Sequence, residues 1–395
     1  MNTKENSAVE KFSTCIVNCI KPLFYVEYIY GVFRFRLNER SSDAIDLRMK
    51  ILSIAITSLW IITFIGLIPH KEMMFSNVVM LADYLVSILI AVVYGSSTIM
   101  LVLRQSQNNC KVIEMLAGID ISLHASIDQK LYKMSLYHCK ILFLLYIFFC
   151  FICFTIYGFF SSDGHRIAYL LFSIIYFERK IELCVFCQFL YMLKQRLLLI
   201  KKYFSKFTGC ENRGMFRQCN LNQLEVDFIG HISNTNYKIR DLAFVYCKVG
   251  KVFMLINKIY NYLILMTLVT AFIFIIITSW TILYSYKFHE NFMFSLSMLF
   301  YLCAEFLSII FMAYYCENIT AVNNKLKRML YRVMNNEDLP VSMRKQVNVF
   351  VELTIIWNFS INVYDMLEVN LGIILSFISI CTSYLIVIIQ INRLL

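Results

Sequence analysis

A chain of 395 residues that is 59% hydrophobic, 16% aromatic and only 16% charged, with three prolines and eleven glycines, is not composed like a water-soluble globular protein. The apolar surplus points to a polytopic membrane protein organised by lipid. The formal net charge of +11 would suit nucleic acid, but it is carried by loops between apolar segments and implies no nucleic-acid partner.

The chain opens with a mixed-charge segment, residues 1–50, that has no apolar signal region followed by a small-residue cleavage site. Four apolar segments follow within 51–193. Residues 51–68 and 141–160 contain no Asp, Glu, Lys or Arg, and 78–103 contains a single acid, Asp83. The fourth, 167–193, carries Glu178, Arg179, Lys180 and Glu182 near its middle, a costly set in hydrocarbon. Residues 194–259 form a basic loop whose two arms have helical character, with the glycine-containing stretch 209–220 as the expected turn. Two more spans occupy 260–316, the first charge-free over 260–286 and the second holding Glu305. In 317–370, Pro340 precedes an amphipathic helix expected over 341–360, whose apolar residues have no cover within their own loop. That face must pack on the long helical arms or on a second subunit. The last span is 371–392.

The basic residues decide how many segments cross. If all seven do, 31 Lys and Arg lie on one side and 4 on the other. If the fourth does not cross, that asymmetry vanishes. Basic loops stay in the cytoplasm, so the expected architecture is all-α, with seven transmembrane helices, a cytoplasmic N-terminus, an extracellular C-terminus and long cytoplasmic helical extensions. The outer loops, 9, 6 and 5 residues long, leave no outer domain to catch a ligand.

Enzyme motifs are absent: there is no GxxxxGK[ST], HExxH or GxSxG. The two CxxC pairs, Cys150–Cys153 and Cys184–Cys187, lie in apolar spans without a nearby histidine and read as small packing residues. No catalytic residue, metal site or cofactor is therefore expected. A G-protein-coupled receptor would place its N-terminus outside, against the charge bias, so no G protein is required.

The final helix carries Ser383 and Tyr384, five apolar residues, then Gln390 and Ile391. Together with the inverted seven-span topology, the short outer loops and the long inner helix pair, this ending resembles the insect gustatory receptors, whose last helix ends in Thr-Tyr, five apolar residues and Gln-Phe. Ser383 and Ile391 depart from that pattern. The resemblance implies a ligand-gated, non-selective cation channel in which four subunits, alike or related, surround one pore. The last helix would line that pore, and the inner helices would form a shared anchor. On a helix, Val387, Gln390 and Ile391 lie at i, i+3 and i+4 and share a face, so they become the expected gate, with Ser383 and Tyr384 beside them. Phe350 and Trp357 become the expected assembly contacts. The competing reading leaves Gln390 at the membrane interface near water.

The resemblance further implies a taste receptor of the plasma membrane, in gustatory neuron dendrites, detecting a small-molecule tastant. With no outer domain, the site should lie among the outer halves of the spans, where Asp83, Tyr84, Tyr157, Tyr176, Glu178, Thr278, Trp280, Tyr284, Tyr301 and Glu305 stand. Intramembrane acids mark functional sites, and aromatic walls with few polar groups suit small ligands. The competing reading pairs the fourth-span charges with one another, with Asp83 or with Glu305, and places the aromatics in interfacial belts. Few polar groups favour bitter plant compounds over sugars. The alternatives are a sugar-sensing relative and a secondary transporter whose intramembrane acids carry coupling ions.

Overall fold

Lipid offers no hydrogen-bond partners, so each apolar run must satisfy its own backbone, and a helix does so within one segment. The computed structural model describes residues 3–34, 36–37, 42–43, 45–67, 77–123, 129–160, 166–208, 237–287, 292–337 and 341–391. The expected turn at 209–220 lies outside them. Ten α-helices and two small hairpins are found among the described residues: α1 (Thr3–Ile29), β1 (Arg36–Leu37), β2 (Ser42–Asp43), α2 (Leu47–Leu67), α3 (Asn77–Ile99), α4 (Ser106–Ser122), α5 (Gln129–Phe160), α6 (Arg166–Thr208), α7 (Tyr237–Lys287), α8 (Phe292–Met334), α9 (Val341–Ile356), β3 (Asn362–Val363), β4 (Leu367–Glu368) and α10 (Gly372–Ile391). A five-residue π-helical turn, Met100–Arg104, joins α3 to α4.

Seven of these helices are long and apolar enough to cross a membrane: α2, α3, α5, α6, α7, α8 and α10. The fourth is among them despite its four charges. At about 1.5 Å per residue, the 43-residue α6 and α8 and the 51-residue α7 run roughly 65–75 Å, twice the hydrocarbon thickness. Each is therefore a span continued far beyond the membrane.

The extensions of α6, α7 and α8 share one hydrophobic core with α1, α4 and α9. Helix α1 lays Ile16, Ile20, Leu23 and Phe24, at helical spacing and no more than 1% exposed, into this core. Asp120 on α4 is clamped by Arg196 of α6 (Nη2 to Oδ2, 2.5 Å), and Tyr132 Oη donates to the same oxygen at 2.7 Å. Burial pushes the Asp120 carboxyl above the usual carboxylate range, while Arg196 and the Tyr132 hydroxyl oppose that shift.

The amphipathic helix expected over 341–360 ends at Ile356, and α9 packs on α7 and α8. Phe350 is fully buried, with its ring centroid 6.0 Å from Phe204 of α6 and 5.3 Å from Tyr246 of α7. Trp357 lies against Gly250 of α7, where a Cβ would stand 2.5 Å from the indole. The chain's own helix pair thus covers Phe350 and one side of the half-buried Trp357, while Val349, Ile355 and Ile356 stay exposed. Between α9 and α10 the β3–β4 hairpin turns through Tyr364 (φ 49°) and Asp365 (φ 57°).

Candidate functional site

Two regions carry the residues that the sequence singles out: the interior of the spans, and the exposed face of α10. In the interior, α6 presents Tyr176, Glu178, Arg179, Lys180 and Glu182, all buried. Glu305 of α8 is fully buried and takes both cations: Arg179 Nη2 stands 2.5 Å from Oε1, and Lys180 Nζ stands 3.0 Å from Oε2. Arg179 also donates to the Thr270 hydroxyl on α7. Arg179 and Glu305 thus tie three spans together, and the one carboxylate pairs with both desolvated cations of α6.

Beside this network is an aromatic cluster. Tyr176 meets Tyr301 at 5.1 Å and Phe177 at 5.2 Å edge to face and Phe274 at 5.8 Å in a tilted arrangement, and the Lys180 ammonium sits 5.1 Å from its ring centroid. The Tyr301 hydroxyl is 3.0 Å from Ser173 Oγ. Phe149 and Phe300 extend the cluster towards α5. A cavity of about 10 Å³ is bounded by Ile90, Val93, Tyr94, Ile175, Tyr176, Glu178 and Arg179. It has room for about one water.

Tyr176, Glu178, Tyr301 and Glu305 therefore come together. Trp280 and Tyr284 pair with each other one turn apart on α7, ring centroids 5.7 Å apart. The Trp280 Nε1 is buried with no hydrogen-bond partner among the described residues. Thr278 is buried and Tyr84 half-buried. The side chains of Asp83 and Tyr157 lie outside those described. Sequence reasoning missed Thr270, Ser173 and Phe274, and only their fit to helical faces across from α6 would have pointed to them. It also missed Glu27, whose carboxylate takes Arg34 by two oxygens at 2.8 Å each. Arg34 in turn stands 5.3 Å from the Tyr260 ring.

Helix α10 buries only a narrow stripe, Ile373, Phe377 and Cys381, at i, i+4 and i+8. Phe272 of α7 meets Phe377 at 6.3 Å and Tyr384 at 5.5 Å. Tyr384 thus leans on its own bundle, though it is half exposed. Ser383, Val387 and Gln390 lie on the uncovered side; the Ile391 side chain is outside those described.

Residues 20–392 match the family of 7tm chemosensory receptors. The chain belongs to that family. The receptor's fold is similar to that of the insect olfactory receptor OR5 from Machilis hrabei in complex with eugenol, with a TM-score of 0.69 and 13% identity over 94% of this chain and 98% of that one. A second structure of OR5 from Machilis hrabei gives a TM-score of 0.66 and 14% identity over the same shares. No curated protein matches the receptor by sequence. Identity this low carries the fold and leaves the ligand open. The receptor is a multi-pass membrane protein, and among the described residues no group of three or more His, Cys, Asp or Glu could hold a metal.

Proposed function

We infer that the receptor is a ligand-gated, non-selective cation channel for small-molecule tastants, bitter plant compounds rather than sugars. It works as a homo- or hetero-tetramer in the plasma membrane of gustatory neurons, with its N-terminus in the cytoplasm. The observation that carries this reading is the buried aromatic cluster of Tyr176, Phe177, Phe274 and Tyr301 at the edge of the Arg179–Lys180–Glu305 network. An apolar ring can replace the Tyr176–Tyr301 contact, and an aromatic wall suits a ligand of low polarity. The uncovered face of α10 suits a helix that meets its copies around an axis, with Val387 and Gln390 towards the pore and an apolar constriction closing by dewetting.

Whole-cell recording with a panel of sugars and bitter compounds tests the proposal. Ligand-evoked currents reversing near 0 mV are the expected result. Saturable uptake without such currents would instead favour the transporter alternative.

A further inference from the structure

The third helix does not end as a regular α-helix. Over Met100–Arg104 it widens into a π turn, in which the Gln105 N–H reaches back five residues to the Met100 carbonyl at 3.1 Å. Such turns disturb the regular backbone ladder and recur at functional sites. Facing this one are Lys258, Ile259 and Asn261–Leu263 of α7 and Tyr364 at the tip of the β3–β4 hairpin. Together they bound a cavity of about 180 Å³.

The charged lining has one sign. Arg104 and Lys258 line the cavity, and no Asp or Glu does. Both cations are exposed, and among the described residues neither has an ion-pair or hydrogen-bond partner. Ser97 Oγ, on a residue 2% exposed, also faces this lining with no partner among the described residues. Tyr262 and Tyr364 bring two further hydroxyls. Uncompensated cations beside free donors, with no acceptor of matching charge, are what an anion with several oxygens would satisfy. The location narrows the source. Arg104 closes the third helix's span, Tyr84–Arg104, and Lys258 stands just before the charge-free run 260–286, so the cavity sits at a membrane boundary. Met100, Leu101, Ile259 and Leu263 supply the apolar part of its wall.

We propose that this cavity is a binding site for the phosphate-bearing headgroup of an anionic phospholipid. The headgroup enters from the leaflet next to the basic loops. Its volume accepts a headgroup and excludes the acyl chains, which remain in the bilayer. The bound headgroup touches Tyr364, in the hairpin that leads into α10, so its occupancy bears on the position of that helix. The identity of the leaflet rests on the proposed orientation; the site does not.

Native mass spectrometry of the full-length receptor in neutral detergent tests the site without any channel measurement. The probes are phosphatidylinositol 4,5-bisphosphate, phosphatidylserine and phosphatidylcholine, with inorganic phosphate and free inositol trisphosphate as soluble controls. One anionic lipid retained per chain, in strong preference to phosphatidylcholine, is expected. Two surface cations contribute enough that Arg104→Gln with Lys258→Gln should weaken retention about thirtyfold. Arg104→Lys should keep most of it, and Lys140→Gln, an exposed cation on α5, should change nothing. Equal retention of phosphatidylcholine, or undiminished binding by the folded double variant, overturns the site. Soluble phosphates that bind as tightly as the lipids overturn the lipid assignment.

Discussion

Arg179 of α6 and Glu305 of α8 meet at 2.5 Å inside the bundle, and Lys180 holds the other oxygen of the same carboxylate at 3.0 Å. One carboxylate therefore pairs with two buried cations. Removing one member of a buried pair costs about 3–5 kcal/mol, because the partner charge is left uncompensated. Glu305→Ala should accordingly lower the thermal midpoint of the detergent-purified receptor and its surface level. Replacing Arg179, Lys180 and Glu305 together by Met, Met and Leu should restore much of both. A Glu305→Ala receptor that melts like wild type would show that the network contributes nothing to the fold.

Phe350 fills a space between Phe204 and Tyr246 of its own chain. Phe350→Ala should thus cost about 3–5 kcal/mol of protomer stability, and dissociated subunits should lose it as fully as assembled ones. Gly250→Val tests the neighbouring contact, since its side chain would occupy the space of the Trp357 indole. Fluorescence-detected gel filtration after heating reads both. If Phe350→Ala leaves a heat-stable monomer and abolishes only the oligomer, the residue belongs to assembly after all.

For ligand recognition, Tyr176→Ala and Tyr301→Phe should change the rank order of agonists. The first removes the ring at the centre of the cluster, and the second removes the hydroxyl 3.0 Å from Ser173 Oγ. Concentration–response curves for at least five agonists measure the effect. A uniform shift for every agonist would place both residues in gating and not in the pocket.

Gate substitutions should behave in the opposite way. Gln390→Ala should alter cation permeability ratios or resting leak, and Ile391→Ser should raise current without ligand by wetting the constriction. Because a ligand opens the pore only through its differential affinity for the open state, such changes shift potency in the same sense for all agonists. Surface-expressed variants with wild-type leak, selectivity and potency would move the pore to another helix.

Orientation is testable with tags. One at Gly209 should be labelled only after permeabilisation, and one after Leu395 on intact cells, as the 31-to-4 division of Lys and Arg demands. Labelling at Gly209 on intact cells would invert the receptor.

The sequence by itself determined what lipid demands locally. Seven runs of about 20 apolar residues are visible without knowing any contact, because a span must satisfy its backbone within its own segment. Even α6, with four charges in its middle, could be counted from the distribution of Lys and Arg alone. The pairing of those charges could not. The fourth-span charges could have paired among themselves, with Asp83 or with Glu305, and the choice depends on which helices abut and at what rotation, which no single segment encodes. The same holds for Phe350, whose amphipathic helix had an apolar face but no stated partner, and for α1, which showed no span yet seats Ile16, Ile20, Leu23 and Phe24 in the shared core. The cavity beside the π turn draws on residues near 100, 260 and 364. Only tertiary packing brings them together, since contacts between distant segments are set by complementary shape and charge, and not by the periodicity that marks each helix.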